Sequence, residues 1–221
     1  MRRLLPDVAD DVEPAEAYAD LARHRVGDRP WLLVNMIASL DGAIALGERS
    51  GGLGGPADQR VFHQLRDLAD VIIVGAGTAR AEGYGPPRRP GLRIGVVTRR
   101  ANLDWTMPLF TSGAGFVITA LDAPSVPVDA VRAGHGEVDL AGALDQLDHE
   151  VALCEGGPTL NGDLLTADLI DEWCLTIAPL LAGGTAGRAA MSSSEHSRPF
   201  HTAHLLAEDG FLFLRALRDR S

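Results

Sequence analysis

The chain has 221 residues, 46% of them hydrophobic, and a formal net charge of −10 from 20 basic and 30 acidic side chains. This length suits one large domain with a sizeable core, and the acidic balance argues against a nucleic-acid surface. Every basic side chain is an arginine. The composition therefore excludes chemistry that needs a Schiff-base or P-loop lysine.

Neither a membrane segment nor an export signal is predicted. No apolar run approaches the ~20 residues of a membrane helix, and the N-terminus turns acidic too early for a signal peptide. The two cysteines, Cys154 and Cys174, lie in predicted strands without C-x-x-C spacing. This is typical of reduced, structural thiols. We expect a cytoplasmic protein with no membrane or nucleic-acid partner and no metal site.

The first half of the chain is predicted to alternate strands and helices. Continuous apolar runs indicate buried strands, and apolar residues at helical spacing, such as Val61, Leu65 and Leu68, indicate a helix. The elements are a short helix Pro14–Arg23 within an acidic N-terminal extension (residues 1–29), a strand Trp31–Ala38, a glycine-rich loop Ala43–Gly55, a helix Pro56–Ala69, a strand Val71–Val74 and a short helix ending near Glu82.

The second half continues this alternation and closes with a hairpin. Its elements are strands Leu92–Thr98 and Phe116–Thr119, a helix Leu140–His149, a strand Val151–Cys154, a helix Thr159–Ala167, a strand Ile170–Ala178, a loop over residues 182–200 and a hairpin of His201–Leu206 with Phe211–Leu217. The pattern predicts an α/β sandwich of three layers, with a mostly parallel mixed sheet and an antiparallel C-terminal hairpin. We expect one domain over residues 1–221.

A glycine turn after the strand Val151–Cys154 is the first candidate ligand site. Glu155, Gly156 and Gly157 follow the strand, and Pro158 suits the first turn of the next helix. Free backbone N–H groups and the positive end of the helix dipole at such a turn favour a phosphate. The same residues also fit an ordinary strand–helix turn that needs glycine for its backbone angles.

A second glycine turn bears on the choice of dinucleotide. Gly75-x-Gly77 follows a strand, but Arg80 occupies the place of the third glycine in the dinucleotide fingerprint. The next strand ends in Thr98-Arg99-Arg100 instead of an acidic residue. A basic pair at a strand end suits the 2′-phosphate of NADP, although solvent-exposed loop arginines explain the pair equally well.

Other polar residues carry weaker signals. His201 and His204 lie on a predicted strand, where their side chains face opposite ways, so structural or surface roles are favoured over a metal site. Asp41 fits a turn, and ligand contact is the alternative. Arg66 fits either a solvated helix face or a phosphate clamp. No G-x-S-x-G nucleophile elbow or zinc-deaminase motif is present.

Taken together, several segments resemble the riboflavin-biosynthesis pyrimidine reductases, which have a dihydrofolate-reductase-like fold. The resemblance runs from about Trp31 to Leu217. The segments that carry it are Asn35–Gly42, Leu65-Arg66, Val74–Thr78, Glu155–Leu160 and Asp171-Glu172. In the bifunctional relatives a deaminase half accompanies this reductase half. Because this sequence has no zinc-deaminase motif, the resemblance implies a stand-alone reductase.

The resemblance implies NADPH as the cofactor and a homodimer formed through the C-terminal strands. The implied reaction is hydride transfer to C1′ of the open imine form of 5-amino-6-(5-phosphoribosylamino)uracil, which gives the ribitylamino product. No catalytic side chain is assigned. With the two turns above, the cofactor candidates are Ala38, Gly52, Thr78, Glu82, Thr98, Arg99, Gly156, Gly157, Pro158, Thr159 and Leu160. The substrate candidates are Ser50, Arg66, Arg89 and Glu155, with Arg88 as an alternative to Arg89.

The chain departs from the family pattern on the substrate side. Met36 stands where lysine is common, Gly52 where an aromatic residue is common, and Glu82-Gly83-Tyr84 where Asp-Asp-Pro is common. Two alternatives therefore stay open. One is a dihydrofolate reductase, or a reductase of another pterin or heterocycle, on the same fold. The other is a non-catalytic nucleotide-binding protein.

Overall fold

Apolar runs between glycine-rich turns form one ten-stranded sheet in the computed structural model, which describes residues 1–220. The strands are β1 (Arg2–Leu5), β2 (Trp31–Ser39), β3 (Val71–Gly75), β4 (Arg93–Val97), β5 (Gly115–Thr119), β6 (Ala130–Arg132), β7 (Val151–Cys154), β8 (Glu172–Ala178), β9 (Phe200–Glu208) and β10 (Phe211–Arg218). The helices are α1 (Pro14–Ala17), α2 (Pro56–Leu68), α3 (Ala76–Glu82), α4 (Pro108–Thr111), α5 (Leu140–Leu144) and α6 (Pro158–Thr166).

The sheet is mostly parallel, as the sequence predicts. Its strand order is β1-β9-β10-β8-β2-β7-β3-β4-β5-β6. The pairs from β8 to β6 are parallel, whereas β1, β9, β10 and β8 pair antiparallel. The C-terminal hairpin β9–β10 thus extends a parallel core, and β8 joins the two parts.

Alternate residues of the central strands enter two separate cores, which makes three layers. In β3, Ile72 and Val74 pack in the core that contains Val61 and Leu65 of α2. Val71 and Ile73 pack in the opposite core, which contains Leu164 of α6. This alternation follows from the two-residue period of a strand. No helix within residues 1–220 has the length and apolar character needed to cross a membrane.

Several predicted boundaries are wrong. The helix predicted at Pro14–Arg23 ends at Ala17, and the helix predicted at Leu140–His149 ends at Leu144. The sequence prediction also missed β1, β6 and α4, which are only three or four residues long. In the segment Pro14–Arg23, tertiary contacts override the helical pattern, because Tyr18 is fully buried and Arg23 forms an ion pair with Glu172 on β8.

A buried ion-pair network joins the N-terminal extension to the antiparallel strands. Glu172 on β8 accepts hydrogen bonds from Arg23 Nε and Nη2 at 2.8 Å each, from Arg215 Nε at 2.6 Å and from Trp31 Nε1 at 3.0 Å. Burial alone raises the pKa of Glu172, but the two arginines outweigh it and hold the pKa below its usual value. The carboxylate is therefore ionised and fully paired inside the fold.

The two histidines of β9 occupy different environments, as their spacing predicts. His204 is buried against Tyr18, with ring centroids 4.6 Å apart, whereas His201 is exposed. Burial, followed by the charge of Arg215, lowers the pKa of His204 to about 4. His204 is thus a neutral core residue at pH 7.

Removing Glu172 should destabilise the fold strongly. Glu172→Ala removes the carboxylate of buried Arg23 and leaves Arg215 with Asp20 alone, and breaking a buried pair costs about 3–5 kcal/mol. Glu137→Ala is the control, because Glu137 pairs with Arg99 at the surface and such pairs contribute about 0–1 kcal/mol. Urea denaturation measures both changes in unfolding free energy. Equal losses in the two variants would contradict a structural role for the network.

Candidate active site

A cavity of about 910 Å³ opens at the carboxyl edge of the central strands. Its wall includes Ile37 from the end of β2, Thr78 from the first turn after β3, and Glu155 and Gly157 from the end of β7. In open α/β sheets, ligands bind in the crevice outside the carboxyl ends of the strands. The position of the cavity therefore makes it the candidate active site.

The two predicted glycine turns meet at one end of this cavity. Gly75 N donates to Gly156 O at 2.7 Å, so the turn after β3 contacts the turn after β7 through the backbone. Gly157 is the N-cap of α6 and provides no side-chain cap, and Pro158 begins the helix. The first N–H groups of α6 thus remain available for an anion.

Glycine is required at Gly157 by a close approach and not by backbone angles. Its φ of −79° and ψ of −173° are extended values that any residue adopts. A Cβ at this position would overlap the hydroxyl oxygen of Thr78 on α3. At Gly156 the reason differs, because its φ of +83° lies in the region that favours glycine.

Glu155 accepts the hydrogen bonds that join two other segments of the cavity wall. Arg66 on α2 donates to it twice, from Nε to Oε1 at 2.6 Å and from Nη2 to Oε2 at 2.8 Å. The hydroxyl of Tyr84 donates to Oε2 at 2.6 Å. Burial, then the Glu155 charge, raises the pKa of Tyr84 well above its usual value, so this hydroxyl remains a donor at neutral pH. Two predicted substrate residues thus form one ion pair.

The guanidinium of Arg66 is held on two sides. On one side it lies over the ring of Phe62 on the same helix, and Arg66 Cζ is 4.4 Å from the ring centroid. Burial alone lowers the pKa of Arg66, but the hydrogen bonds and charge of Glu155 outweigh burial and raise it. A permanently charged, stacked guanidinium therefore faces the cavity.

The glycine-rich loop before α2 is tied to α3 by a second pair of candidates. Ser50 donates to Glu82 Oε1 from its backbone N at 2.7 Å and from its hydroxyl at 2.9 Å. Both residues line the cavity. The loop that contains Ser50 thus closes over the carboxyl edge of β3.

Basic side chains lie at the rim of the cavity. Arg88 Nη1 is 3.2 Å from His63 Nε2, and both residues line the cavity. Arg89 also lines it, but its guanidinium donates to the carbonyl oxygens of Asp67 and Ala69 at the end of α2. Arg89 therefore anchors the proline-rich loop, while Arg88 is the more exposed arginine.

The basic pair after β4 lies beside a smaller cavity. Val97 is in register with Gly75, so Thr98 continues next to the turn after β3. Arg99 and Arg100 line a cavity of about 270 Å³ with Asp122 and Gly136. Arg99 also pairs with Glu137 at 2.5 Å. The pair therefore lies at the same sheet edge as the glycine turns, but outside the main cavity.

The main cavity brings together eight of the predicted site residues. These are Ser50, Arg66, Thr78, Glu82, Arg89, Glu155, Gly157 and Pro158. Within residues 1–220, the other candidates stand outside its lining: Ala38, Gly52, Thr98, Arg99, Gly156, Thr159 and Leu160. Asp41 is a turn residue that accepts hydrogen bonds from Ser39, Ala182 and Gly183; these lower its pKa to about 2.

Sequence reasoning did not select several residues that line the cavity, among them Asp58, Phe62, His63 and Tyr84. Tyr84 was noted only as a departure from the family pattern. Phe62 and His63 follow Val61 on α2 and resemble ordinary helix residues. Asp58 stands in the first turn of α2, where a carboxylate is favoured by the helix dipole without any ligand.

The fold and the position of the cavity define a dihydrofolate-reductase-like α/β protein. Dihydrofolate reductase from Enterococcus faecalis is similar in fold, with a TM-score of 0.54 and 14% identity over 86% of this chain and 96% of that one. A pyrimidine reductase-like protein from Corynebacterium diphtheriae is more similar, with a TM-score of 0.80 and 23% identity over 95% of this chain and 100% of that one.

Within this class the chain belongs to the RibD C-terminal domain family, whose model matches residues 30–207. A curated relative is the 2,5-diamino-6-ribosylamino-4(3H)-pyrimidinone 5′-phosphate reductase of Methanothermobacter thermautotrophicus. It is 33% identical over 179 residues, which cover 72% of this chain and 82% of the relative. The resemblance to the pyrimidine reductases is thereby confirmed.

The glycine turn should fail as a ligand site when a side chain is added. We expect Gly157→Val to lose nicotinamide-dinucleotide binding by calorimetry while circular dichroism stays near wild type, because the close approach of a pyrophosphate needs a bare backbone.

A side chain at Gly157 could act by blocking the ligand or by displacing Thr78. Comparing Gly157→Ala with Gly157→Ala/Thr78→Ala separates these two causes, because Thr78→Ala removes the hydroxyl that a Cβ would overlap. Thr78→Ala alone should keep measurable binding, and the double variant should remain defective. Recovery of binding in the double variant would show that Gly157 only accommodates Thr78.

Proposed function

We propose that this protein is an NADPH-dependent reductase of a phosphorylated ribosylamino-pyrimidine in riboflavin biosynthesis. The observation that carries the proposal is the single cavity that joins the glycine turns to the Glu155–Arg66 pair. Membership of the RibD C-terminal domain family supports it, as does the activity for which the Methanothermobacter relative is named. The two buried, unpaired cysteines fit the cytoplasmic setting that the sequence suggests.

The residues at the glycine-turn end fit a nicotinamide dinucleotide. The uncapped N-terminus of α6 offers backbone donors to a pyrophosphate, and Gly157 and Thr78 leave no room for another side chain there. Arg99 and Arg100, at the same sheet edge, suit the 2′-phosphate that distinguishes NADPH from NADH. When bound, the cofactor supplies the hydride, and the protein supplies binding and orientation.

The remaining part of the cavity fits the phosphorylated substrate. Arg66 and Arg88 provide guanidinium groups at its wall and rim, and arginine is the preferred partner of a phosphate. His63 beside Arg88 adds a further donor. The proposed substrate places its ribose phosphate at this rim and its heterocycle deeper, toward the floor formed by β2.

The proposal is tested by mixing the protein with NADPH and either the ribosylamino-pyrimidine phosphate or dihydrofolate. We expect NADPH oxidation with the pyrimidine, and a higher kcat/KM for it than for dihydrofolate, because charge-assisted phosphate contacts contribute about 1.5–3 kcal/mol each. Arg88→Ala should raise KM about 10-fold or more and leave NADPH affinity unchanged. A higher kcat/KM for dihydrofolate would overturn the substrate assignment.

The cofactor preference has its own test. NADPH should bind more tightly than NADH by calorimetry, and Arg99→Ala/Arg100→Ala should reduce that preference by about 10-fold or more, because each charge-assisted contact contributes about 1.5–3 kcal/mol. Arg132→Ala is a control for loss of a nearby arginine, since Arg132 binds backbone carbonyls of the β5–β6 loop. Equal affinities of the wild type for NADPH and NADH would contradict the assignment.

We further propose a homodimer that buries the outer face of the antiparallel strands. Leu175 and Ile177 of β8 are half-exposed, and they face Leu214 and Leu212 of β10 in register. Leu205 of β9 continues this apolar row next to Leu214. Adjacent apolar residues on one sheet face form a patch of the kind that subunit interfaces bury.

Leu214→Arg should convert the proposed dimer into a monomer, because two guanidinium groups would be buried at a two-fold interface. Light scattering after gel filtration measures the mass. Leu181→Arg is the matched control, since Leu181 is 75% exposed and lies outside the strands. A wild-type protein that is monomeric at tens of micromolar would refute the dimer.

A further inference from the structure

The long connection between β8 and β9 runs over the first half of α6. Its segment of residues 187–192 is called the strap below. Met191 N in the strap donates to Pro158 O at 2.9 Å. On the next turn of the helix, a Cβ at Gly162 would overlap the carbonyl group of Met191. The strap therefore lies in direct backbone contact with α6, whose first residue, Pro158, lines the main cavity.

Asn161 joins the strap to the end of β7. Its side chain is fully buried; Nδ2 donates to Ala189 O at 2.7 Å, and Oδ1 accepts from Cys154 Sγ at 3.4 Å. Burial raises the pKa of the Cys154 thiol to about 12, so the thiol keeps the proton that it donates. One amide thus connects β7, the first turn of α6 and the strap.

The same residue lies directly behind the glycine turn after β7. Asn161 N donates to Gly157 O at 2.9 Å, and Asn161 Nδ2 would lie 3.5 Å from a Cβ at Gly156. Within residues 1–220, the lining of the main cavity includes Gly157 and Pro158 but not Asn161. Asn161 therefore holds residues that face a ligand without facing the ligand itself.

The two bonds of the Asn161 side chain require an amide. The carbonyl of Ala189 can only accept and the thiol of Cys154 donates, so the side chain between them must offer one donor and one acceptor. A carboxylate would place an acceptor against the Ala189 carbonyl and a charge in a fully buried position, which is costly. Replacing the amide by a carboxylate should therefore release the strap from α6.

We propose that Asn161 is a positioning residue for the dinucleotide. Through the strap it holds the Gly156-Gly157 turn and the first N–H groups of α6 in the geometry that receives the pyrophosphate. This inference rests on the proposed function, because it takes the turn to be the dinucleotide end of the cavity. Coupling between two sites is reciprocal, so a dinucleotide that binds the ordered turn also holds the strap in place.

Calorimetry with NADP⁺ measures the effect on the turn. Asn161→Asp should weaken NADP⁺ binding about 10-fold or more, because a buried hydrogen bond is lost and two acceptors face each other. The KM for the ribosylamino-pyrimidine phosphate at saturating NADPH should stay near wild type, whereas a general loss of structure would raise it as well. Gln146→Glu makes the same change on an exposed amide that also donates to backbone carbonyls. It should leave NADP⁺ binding unchanged.

Gly162→Ala separates release of the strap from repulsion between a new carboxylate and a phosphate. It adds no charge and leaves Asn161 in place, but its Cβ displaces Met191. Alanine favours a helix more than glycine does, so local structure alone would strengthen α6. We nevertheless expect NADP⁺ binding to weaken about 10-fold or more, as in Asn161→Asp, with circular dichroism near wild type.

Limited trypsin digestion measures attachment of the strap directly. Arg188 is exposed, and the bond after it leads to Ala189, whose carbonyl Asn161 holds. Cleavage after Arg188, followed by mass spectrometry, should be about 10-fold or more faster in Asn161→Asp and Gly162→Ala than in the wild type, because proteolysis follows the population of the open form. NADP⁺ should slow this cleavage in the wild type.

The outcomes separate this inference from the proposed function. If both variants are cut faster but bind NADP⁺ as tightly as the wild type, or if NADP⁺ does not slow cleavage of the wild type, the inference fails and the reductase function stands. If NADP⁺ binding and protection change as expected but the pyrimidine is not reduced, the proposed function fails and the positioning role holds. A wild type that binds no NADP⁺ would overturn both. If Asn161→Asp does not fold, Gly162→Ala decides the same question.

Discussion

A buried carboxylate that needs cationic and hydroxyl partners determines how the cavity is built. Glu155 is 7% exposed at the end of β7, and an unpaired charge there would cost several kcal/mol. Arg66 comes to it from α2, and Tyr84 comes from the loop after α3. Three segments far apart in sequence are thereby fixed around one point, and the space that they enclose against the glycine turns is the candidate active site.

The same requirement organises the other half of the sheet. Glu172 and its neighbour Asp171 are buried, and they are paired with Arg23, Arg215 and Arg29. In a chain without lysine, each partner is a planar guanidinium that can make two parallel hydrogen bonds to a carboxylate. These pairs join the N-terminal extension to β8. They thus fix β8 against β2, and Ile37 of β2 lines the main cavity.

The fold could be predicted from the sequence because its signals are local. Continuous apolar runs such as Val71–Val74 indicate strands buried on both faces, and glycine turns indicate connections between a strand and a helix. The site could be predicted only in part. The Arg66–Glu155 pair joins residues 89 positions apart, and no local pattern encodes such a pairing. Asp58 lines the cavity, but its sequence position has an equally good local explanation, as a carboxylate in the first turn of a helix.

The strand order also separates the two ends of the main cavity. The turns proposed for the dinucleotide follow β3 and β7, which are neighbours in the sheet, whereas Asp58 and Thr176 belong to α2 and β8 on the far side of β2. The backbone hydrogen bond between Gly75 and Gly156 joins only the two turns and involves no residue of α2 or β8. A substitution on the cavity-facing side of α2 should therefore leave the contact between the two glycine turns intact.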